Sequence, residues 1–274
     1  MRLKLLVAAM ALATPAAVLA DHHLNPAMEA ALAQDNRADD RARDQYRHPA
    51  ETLAFFQVEP GMTVADFMPS GGWYTRVLVP YLGADGHYIG LNPDPALISD
   101  PGGKDYASKM VPRFAEQSPA WNLSGAKVDN MATGDLTDAH DGTVDRALIF
   151  REMHNMKRWG SAGAELDRIH DLLKDDGMLG IVQHRARADA PDAYVDGSKG
   201  YLRQQDVIDM VEQHGFELVE ASEINANAKD PANWEGGVWS LPPSYSGAED
   251  EATRTARAAI GESDRMTLLF RKRG

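Results

Sequence analysis

Cysteine is missing from all 274 residues, which excludes disulfides, thiolate metal sites and a cysteine nucleophile. Three catalytic or nucleotide-binding patterns are missing too. No Gly-x-Gly-x-x-Gly fingerprint follows a strand, no Gly-x-Ser-x-Gly elbow presents a serine, and no His-Glu-x-x-His pair offers two imidazoles to a metal. Ser70 does follow an apolar run, but Pro69 stands beside it in place of the glycine an elbow requires. Basic charge is scarce: 28 Lys and Arg against 41 Asp and Glu give a formal charge of −13. That balance argues against a nucleic-acid backbone or an anionic membrane surface as partner. Past residue 19, no stretch approaches the roughly 20 apolar residues that a membrane span needs.

What is present begins at the amino terminus. Arg2 and Lys4 precede an apolar run over 5–19, and Val18-Leu19-Ala20 offers small or apolar residues at the cleavage positions. Residues 1–20 therefore read as a secretory signal peptide, which implies an exported, periplasmic protein beginning near Asp21. Loss of Arg2 and Lys4 takes the charge from −13 to −15. His22 and His23 then lie beside the new terminus, where mobile imidazoles have no fixed third ligand, and no metal is expected. Residues 21–47 form a polar segment in which 28–32 could open a helix and 37–43 alternates acid and base, as a solvated helix or loop would.

From residue 48 onward, the chain reads as one domain of alternating strands and helices. Pro49 opens a short helix that ends at the Pro60-Gly61 turn. A buried strand at 64–68 runs through a Pro/Ser/Gly turn into a helix at 73–82, and a second strand follows at 87–91. Residues 99–117 lose apolar periodicity, as helix and loop over a sheet edge would, and 126–131 supplies a third strand. Strand 144–150, helix 162–173, strand 178–184, helix 201–215, strand 216–221 and a last strand at 266–270 complete the order. This alternation implies a mostly parallel, doubly wound sheet covered on both faces, with an antiparallel last strand. The irregular stretch 225–247, rich in Pro and Gly, reads as an insertion suited to substrate selection or to a homodimer contact. Trp121, Trp159, Trp234 and Trp239 suit core or lid packing as well as substrate stacking.

Five stretches carry a family resemblance: Arg47-His48-Pro49-Ala50-Glu51; Pro69 through Thr75, reading Pro-Ser-Gly-Gly-Trp-Tyr-Thr; Phe150 through Asn155, reading Phe-Arg-Glu-Met-His-Asn; Gln183-His184-Arg185-Ala186; and Leu241-Pro242-Pro243. Over about 43–273, the chain resembles the class I S-adenosylmethionine-dependent methyltransferases, most closely an exported group of them. The resemblance implies a Rossmann-like α/β fold, S-adenosylmethionine as methyl donor, no metal, and a small-molecule acceptor. It places Asp66, Met68, Pro69, Ser70, Gly71, Gly72, Trp73 and Tyr74 beside the methionine part of the donor. Asn92 and Asp94 then fall near the ribose, and Asp135 near the adenine.

Two departures accompany these matches. Asn92 stands where the family has a carboxylate for the ribose hydroxyls, and an amide accepts only through its one carbonyl oxygen. Met68 and Ser70 stand where the family often has glycine, so their side chains are expected to crowd a ligand. Glu152, His154 and His184, directly after the fourth and fifth strands, are the candidate catalytic residues. Either histidine suits a general base, with Glu152 orienting the donor amine or sharing that role. Salt bridging of Glu152 to Arg151 or Arg146 is its alternative use. A second functional reading keeps the fold but not the reaction: a periplasmic binding module whose donor site has degenerated.

Overall fold

The computed structural model describes residues 25–273, so the expected signal segment and the pair His22 and His23 lie outside the described residues. The helices are α1 (Pro26–Leu32), α2 (Asp44–Arg47), α3 (Pro49–Phe55), α4 (Thr75–Leu82), α5 (Pro101–Ser108), α6 (Met110–Gln117), α7 (Met153–Trp159), α8 (Ala162–Leu172), α9 (Gln204–Glu212) and α10 (Glu251–Ile260). The strands are β1 (Thr63–Phe67), β2 (His87–Asn92), β3 (Lys127–Ala132), β4 (Val144–Phe150), β5 (Leu173–His184), β6 (Phe216–Ser222) and β7 (Arg265–Lys272).

All seven strands form one sheet in the order β3-β2-β1-β4-β5-β7-β6. β7 pairs antiparallel to both β5 and β6, and every other pairing is parallel. The expected doubly wound sheet with a reversed last strand is therefore what the chain forms. The order changes direction beside β1, whose two neighbours are β2 and β4. Their crossovers leave on opposite sides and open a crevice at the carboxyl ends of these strands, where such sheets bind ligands.

Strand alternation divides the core into two layers. Ala65, Phe67, Ala147 and Ile149 pack with α7, α8 and α9 on one face, while Val64, Leu148 and Phe150 pack with α3 and α4 on the other. Asp66 shares the second face with Val64 and is almost fully buried there.

The amino-terminal segment corrects one expectation. Residues 37–43 are solvated only in part: Ala38, Asp39, Arg41 and Ala42 are exposed, but Arg37 is fully buried, bonds Leu32 O, and meets the Asp44 carboxylate at 2.7 Å. Asp40 takes two bonds from Arg76 on α4. The guanidinium carbons of Arg37 and Arg47 stand 5.1 and 4.4 Å from the Trp73 ring centroid. Alternating charge is satisfied inward here, because flat guanidinium groups can stack on an aromatic face while keeping their carboxylate bonds. The segment thus braces the outer side of the β1–α4 loop.

Candidate functional site

The β1–α4 loop is built on an alternation of backbone hand. Met68, Ser70 and Gly72 have φ of 56, 50 and 73°, all left-handed. Only glycine enters that region without a Cβ penalty, so the loop has the winding of a glycine-rich turn with glycine at one of its three special positions. Met68 resolves the expected crowding by turning its side chain into the core, although it also walls a small cavity of about 30 Å³ beside Asp66. At Gly72 no larger residue fits, since an added Cβ would lie 2.6 Å from the Trp121 ring.

Three adjoining cavities follow the carboxyl edge of the sheet. The largest, about 690 Å³, lies among the start of α5, the β4–α7 junction, His184 and the 3-10 turn at Gly237–Ser240. A second, of about 240 Å³, separates Pro69, Ser70, Gly71 and Asn92 from α6. Tyr106 lines both. The 30 Å³ cavity shares Pro69 and Ser70 with the second, and Arg151 and Glu152 with the first.

The β4–α7 junction supplies most of the reactive groups. Phe150 ends the strand, Arg151 donates its N–H to Val182 O at 2.6 Å, and its φ of 66° turns the chain into α7. Glu152, His154, Asn155 and Arg158 then line the large cavity, with His184 approaching from the end of β5. The rings of His154 and His184 are 5.9 Å apart. Asn155 Nδ2 donates to Glu152 Oε2 at 2.6 Å, and His184 Nδ1 meets Ser263 Oγ at 2.6 Å. Glu152 pairs with neither arginine considered for it, because Arg146 is occupied by the carbonyls of Phe56, Gln57 and Asp145 and Arg151 forms no ion pair.

Burial sets the charge states. It pushes the Glu152 carboxyl up to about 7 against the opposing pull of Asn155 and Arg151, and it pushes His154 down to about 4. His184 is driven well below its ordinary value by burial, then by Arg265 and His154. Both imidazoles are therefore neutral near pH 7 and able to accept a proton. Asp66 is also pushed up by burial to about 7, although Tyr88 Oη donates to it at 2.9 Å. A chain of Thr75, Tyr88 and Asp66 runs under the loop.

The expected donor contacts divide into two sets. Asp66, Met68, Pro69, Ser70, Trp73 and Tyr74 border the smallest cavity, while Gly71 and Asn92 border the 240 Å³ one. Gly72 forms the turn behind them. Asn92 gives its amide to Gly90 O, Asn130 Oδ1 and Met131 O, which leaves its carbonyl oxygen as the group for a ligand. Asp94 and Asp135 are not brought to these cavities. Asp94 caps the 3-10 turn at Pro95–Leu97 through Ala96 N and lies against Gly134, and Asp135 accepts from Ala132 N.

Of the four tryptophans left open to core packing or substrate stacking, Trp159 and Trp239 line the large cavity; Tyr106, Asn155 and Arg158 were missed as cavity residues. Spacing could have found two of them, since Glu152, Asn155 and Arg158 succeed one another at intervals of three, which is one helix face. No group of three or more His, Asp or Glu stands ready to hold a metal among the described residues, and no described helix is long and apolar enough to cross a membrane.

Comparison with solved structures agrees with this architecture. A SAM-dependent methyltransferase from Aquifex aeolicus superposes with a TM-score of 0.52 at 19% identity, covering 69% of this chain and 90% of that one. The chain has the class I methyltransferase fold. The (4+2)-cyclase SpnF is similar at TM-score 0.55 and 15% identity, over 88% of this chain and 85% of that one. The YcgJ protein from Bacillus subtilis gives 0.50 at 11% identity, over 83% and 99%. No protein-family model and no curated protein matches the sequence. A cyclase among these neighbours shows that the fold alone does not name the reaction.

Proposed function

We propose that this chain binds S-adenosylmethionine along the carboxyl edge of β1, β2 and β4 and transfers its methyl group to a small molecule in the 690 Å³ cavity. The reading extends to an exported, periplasmic enzyme, on the strength of the amino-terminal sequence. The observation that carries it is the left-handed alternation at Met68, Ser70 and Gly72, in a loop that borders the 240 and 30 Å³ cavities. That winding turns backbone toward a ligand at the switch point of the sheet.

The residues present fit the donor. Asn92 Oδ1 and Ser70 offer an acceptor and a hydroxyl to a ribose, while Phe114 and Met110 give an apolar wall to a flat base. Glu152, held by Asn155, is placed to take the ammonium of the amino-acid end. When bound, the donor supplies an electrophilic methyl on a sulfonium. The protein's own part is to align the acceptor, exclude water and take up its proton. Neutral His154 or His184 can accept that proton, and Glu152, poised near 7, can share it.

Calorimetry of the mature protein with S-adenosylmethionine and S-adenosylhomocysteine tests the reading. Saturable binding is expected, and none at about millimolar ligand would refute it. One feature favours the second reading, a binding module without the reaction: the space beside Asp66 is only about 30 Å³ and is walled by Met68, Trp73 and Tyr74. That reading predicts small-molecule binding in the large cavity with no affinity for either form of the donor.

A further inference from the structure

Eighteen arginines lie in the described residues, and fourteen of their side chains bond or pair with protein groups. Four do not: Arg113, Arg151, Arg158 and Arg254. Three of those four line the cavities at the sheet edge, Arg113 in the 240 Å³ cavity and Arg151 and Arg158 in the 690 Å³ one. Arg113 and Arg158 are exposed and lie over the Tyr106 and Trp159 rings at 5.6 and 5.5 Å, so Arg151 is the one of the three held at this edge with neither a carboxylate nor a ring as partner.

Arg151 is the most telling of the three. It is partly buried at the meeting of two cavities, and its own strained backbone, φ 66°, holds it there. The acid that offsets it most is Glu262, which already serves Arg43, Arg47 and Arg265. An ion removed from water without a partner costs several kcal/mol in the general case, so a folded chain keeps one where a ligand completes the pair. Asp100 and Glu152 are the acidic residues bordering the same cavity. Asp100 is committed to the N–H of Gly103, and Glu152 is bonded to Asn155 and held up near 7. Flat walls come from Tyr106, Trp159 and Trp239, with Trp239 5.9 Å from the His154 ring, and the rest of the lining includes Gly102, Gly103, Asn155 and Val238.

We infer that the large cavity takes an aromatic or other flat acid, its carboxylate bound by Arg151 and Arg158 and its ring laid against Trp159 and Trp239, as the methyl acceptor. Planar guanidinium groups match a carboxylate in two-point geometry, and flat rings suit the indole walls. This rests on the methyl-transfer reading above for the word acceptor. The anion site itself stands on the unpaired arginines.

The competing source of the same carboxylate is the amino-acid end of the donor, and the test separates the two. Calorimetry on the mature protein would use 4-hydroxybenzoate, its neutral counterpart 4-hydroxybenzamide, and S-adenosylhomocysteine. Each would be titrated into the native protein and into Arg151→Gln and Arg158→Gln. Arg158 is exposed on α7, so its replacement is expected to leave the fold intact even if the Arg151 change does not, and thermal melts of both variants check this.

The acid is expected to bind at least about tenfold more tightly than the amide, and to lose about tenfold in each variant. S-adenosylhomocysteine affinity should stay within about twofold in Arg158→Gln. Equal binding of acid and amide, unchanged binding in both variants, or no acid binding by about 10 mM overturns the inference. So does a loss of S-adenosylhomocysteine affinity in the variants with acid binding intact, because the arginines would then serve the donor. If the native protein binds the acid but not S-adenosylhomocysteine, methyl transfer fails and the anion site stands.

Discussion

Replacing Asp66 with Asn should flatten the pH dependence of folding stability. In the folded chain Asp66 is almost completely buried beneath the β1–α4 loop, and burial raises its carboxyl from an ordinary 3.8 to about 7. A raised carboxyl pKa means that the unfolded chain ionises first. The folded state therefore carries no penalty below about pH 3.8, loses stability as pH rises, and reaches its full penalty above about 7. At 1.36 kcal/mol per unit the whole shift is worth about 4 kcal/mol, of which about 3 kcal/mol falls between pH 5 and 8.

Asn keeps an acceptor for Tyr88 Oη and cannot ionise. The assay is urea unfolding followed by tryptophan fluorescence, on native protein and variant, at both pH values. The difference of differences cancels groups that titrate alike in both proteins, and reports Asp66 together with its coupling to Glu152, whose charge raises it. The stability of Asn relative to Asp should rise by about 2–3 kcal/mol from pH 5 to pH 8. Parallel profiles, with a constant difference to within about 0.5 kcal/mol, would refute the account of Asp66 as a carboxyl held neutral by burial.

His154 gives the mirror case. It is held neutral down to about 4, so stability is lost as pH falls from about 6.5 toward 4, and His154→Asn should reduce that loss by roughly 2–3 kcal/mol in acid unfolding; an unchanged slope would contradict it. Gly72→Ala adds a Cβ 2.6 Å from Trp121 at φ 73° and should cost about 2–3 kcal/mol by thermal melting, whereas a loss below about 0.5 kcal/mol would show that the loop yields freely. Arg37→Met removes the bonds to Leu32 O and Asp44 and should cost about 1–3 kcal/mol, because Asp44 keeps partial access to water; a neutral result would mean that the 25–47 segment does not brace the loop. Trp239→Ala opens the large cavity and should weaken acceptor binding at least about fivefold while leaving donor affinity unchanged, as read by calorimetry with each ligand alone.

Much of the fold was legible because strand positions announce themselves by local apolarity. The run 144–150 is the strand observed, and 64–68 and 87–91 are each within one residue of theirs. Besides the four-residue α2, two helices escaped, for opposite reasons. α7 packs its apolar residues Met153, Met156 and Trp159 inward but is only seven residues long and carries His, Asn, Lys and Arg between them, so its periodicity is brief. α10 has no fully buried residue, and its sequence gives no core stripe to detect. The site was half legible. Loop order placed Glu152, His154 and His184 at the carboxyl edge, whereas Tyr106 and Trp239 come from segments 45 or more residues away on either side and meet them only across the cavity.

Sequence by itself settled the order of the strands, the absence of thiol chemistry and the place of the 68–72 loop between the first strand and its helix, because each depends on neighbouring residues. It could not settle the hand of Met68 and Ser70, which lies in φ angles imposed by the sheet on one side and by the Trp73–Arg47 stack on the other. Nor could it tell that Arg37 finds a carboxylate while Arg151 finds none. Charges are paired by proximity in space, and only the folded chain decides which ones are left for a ligand.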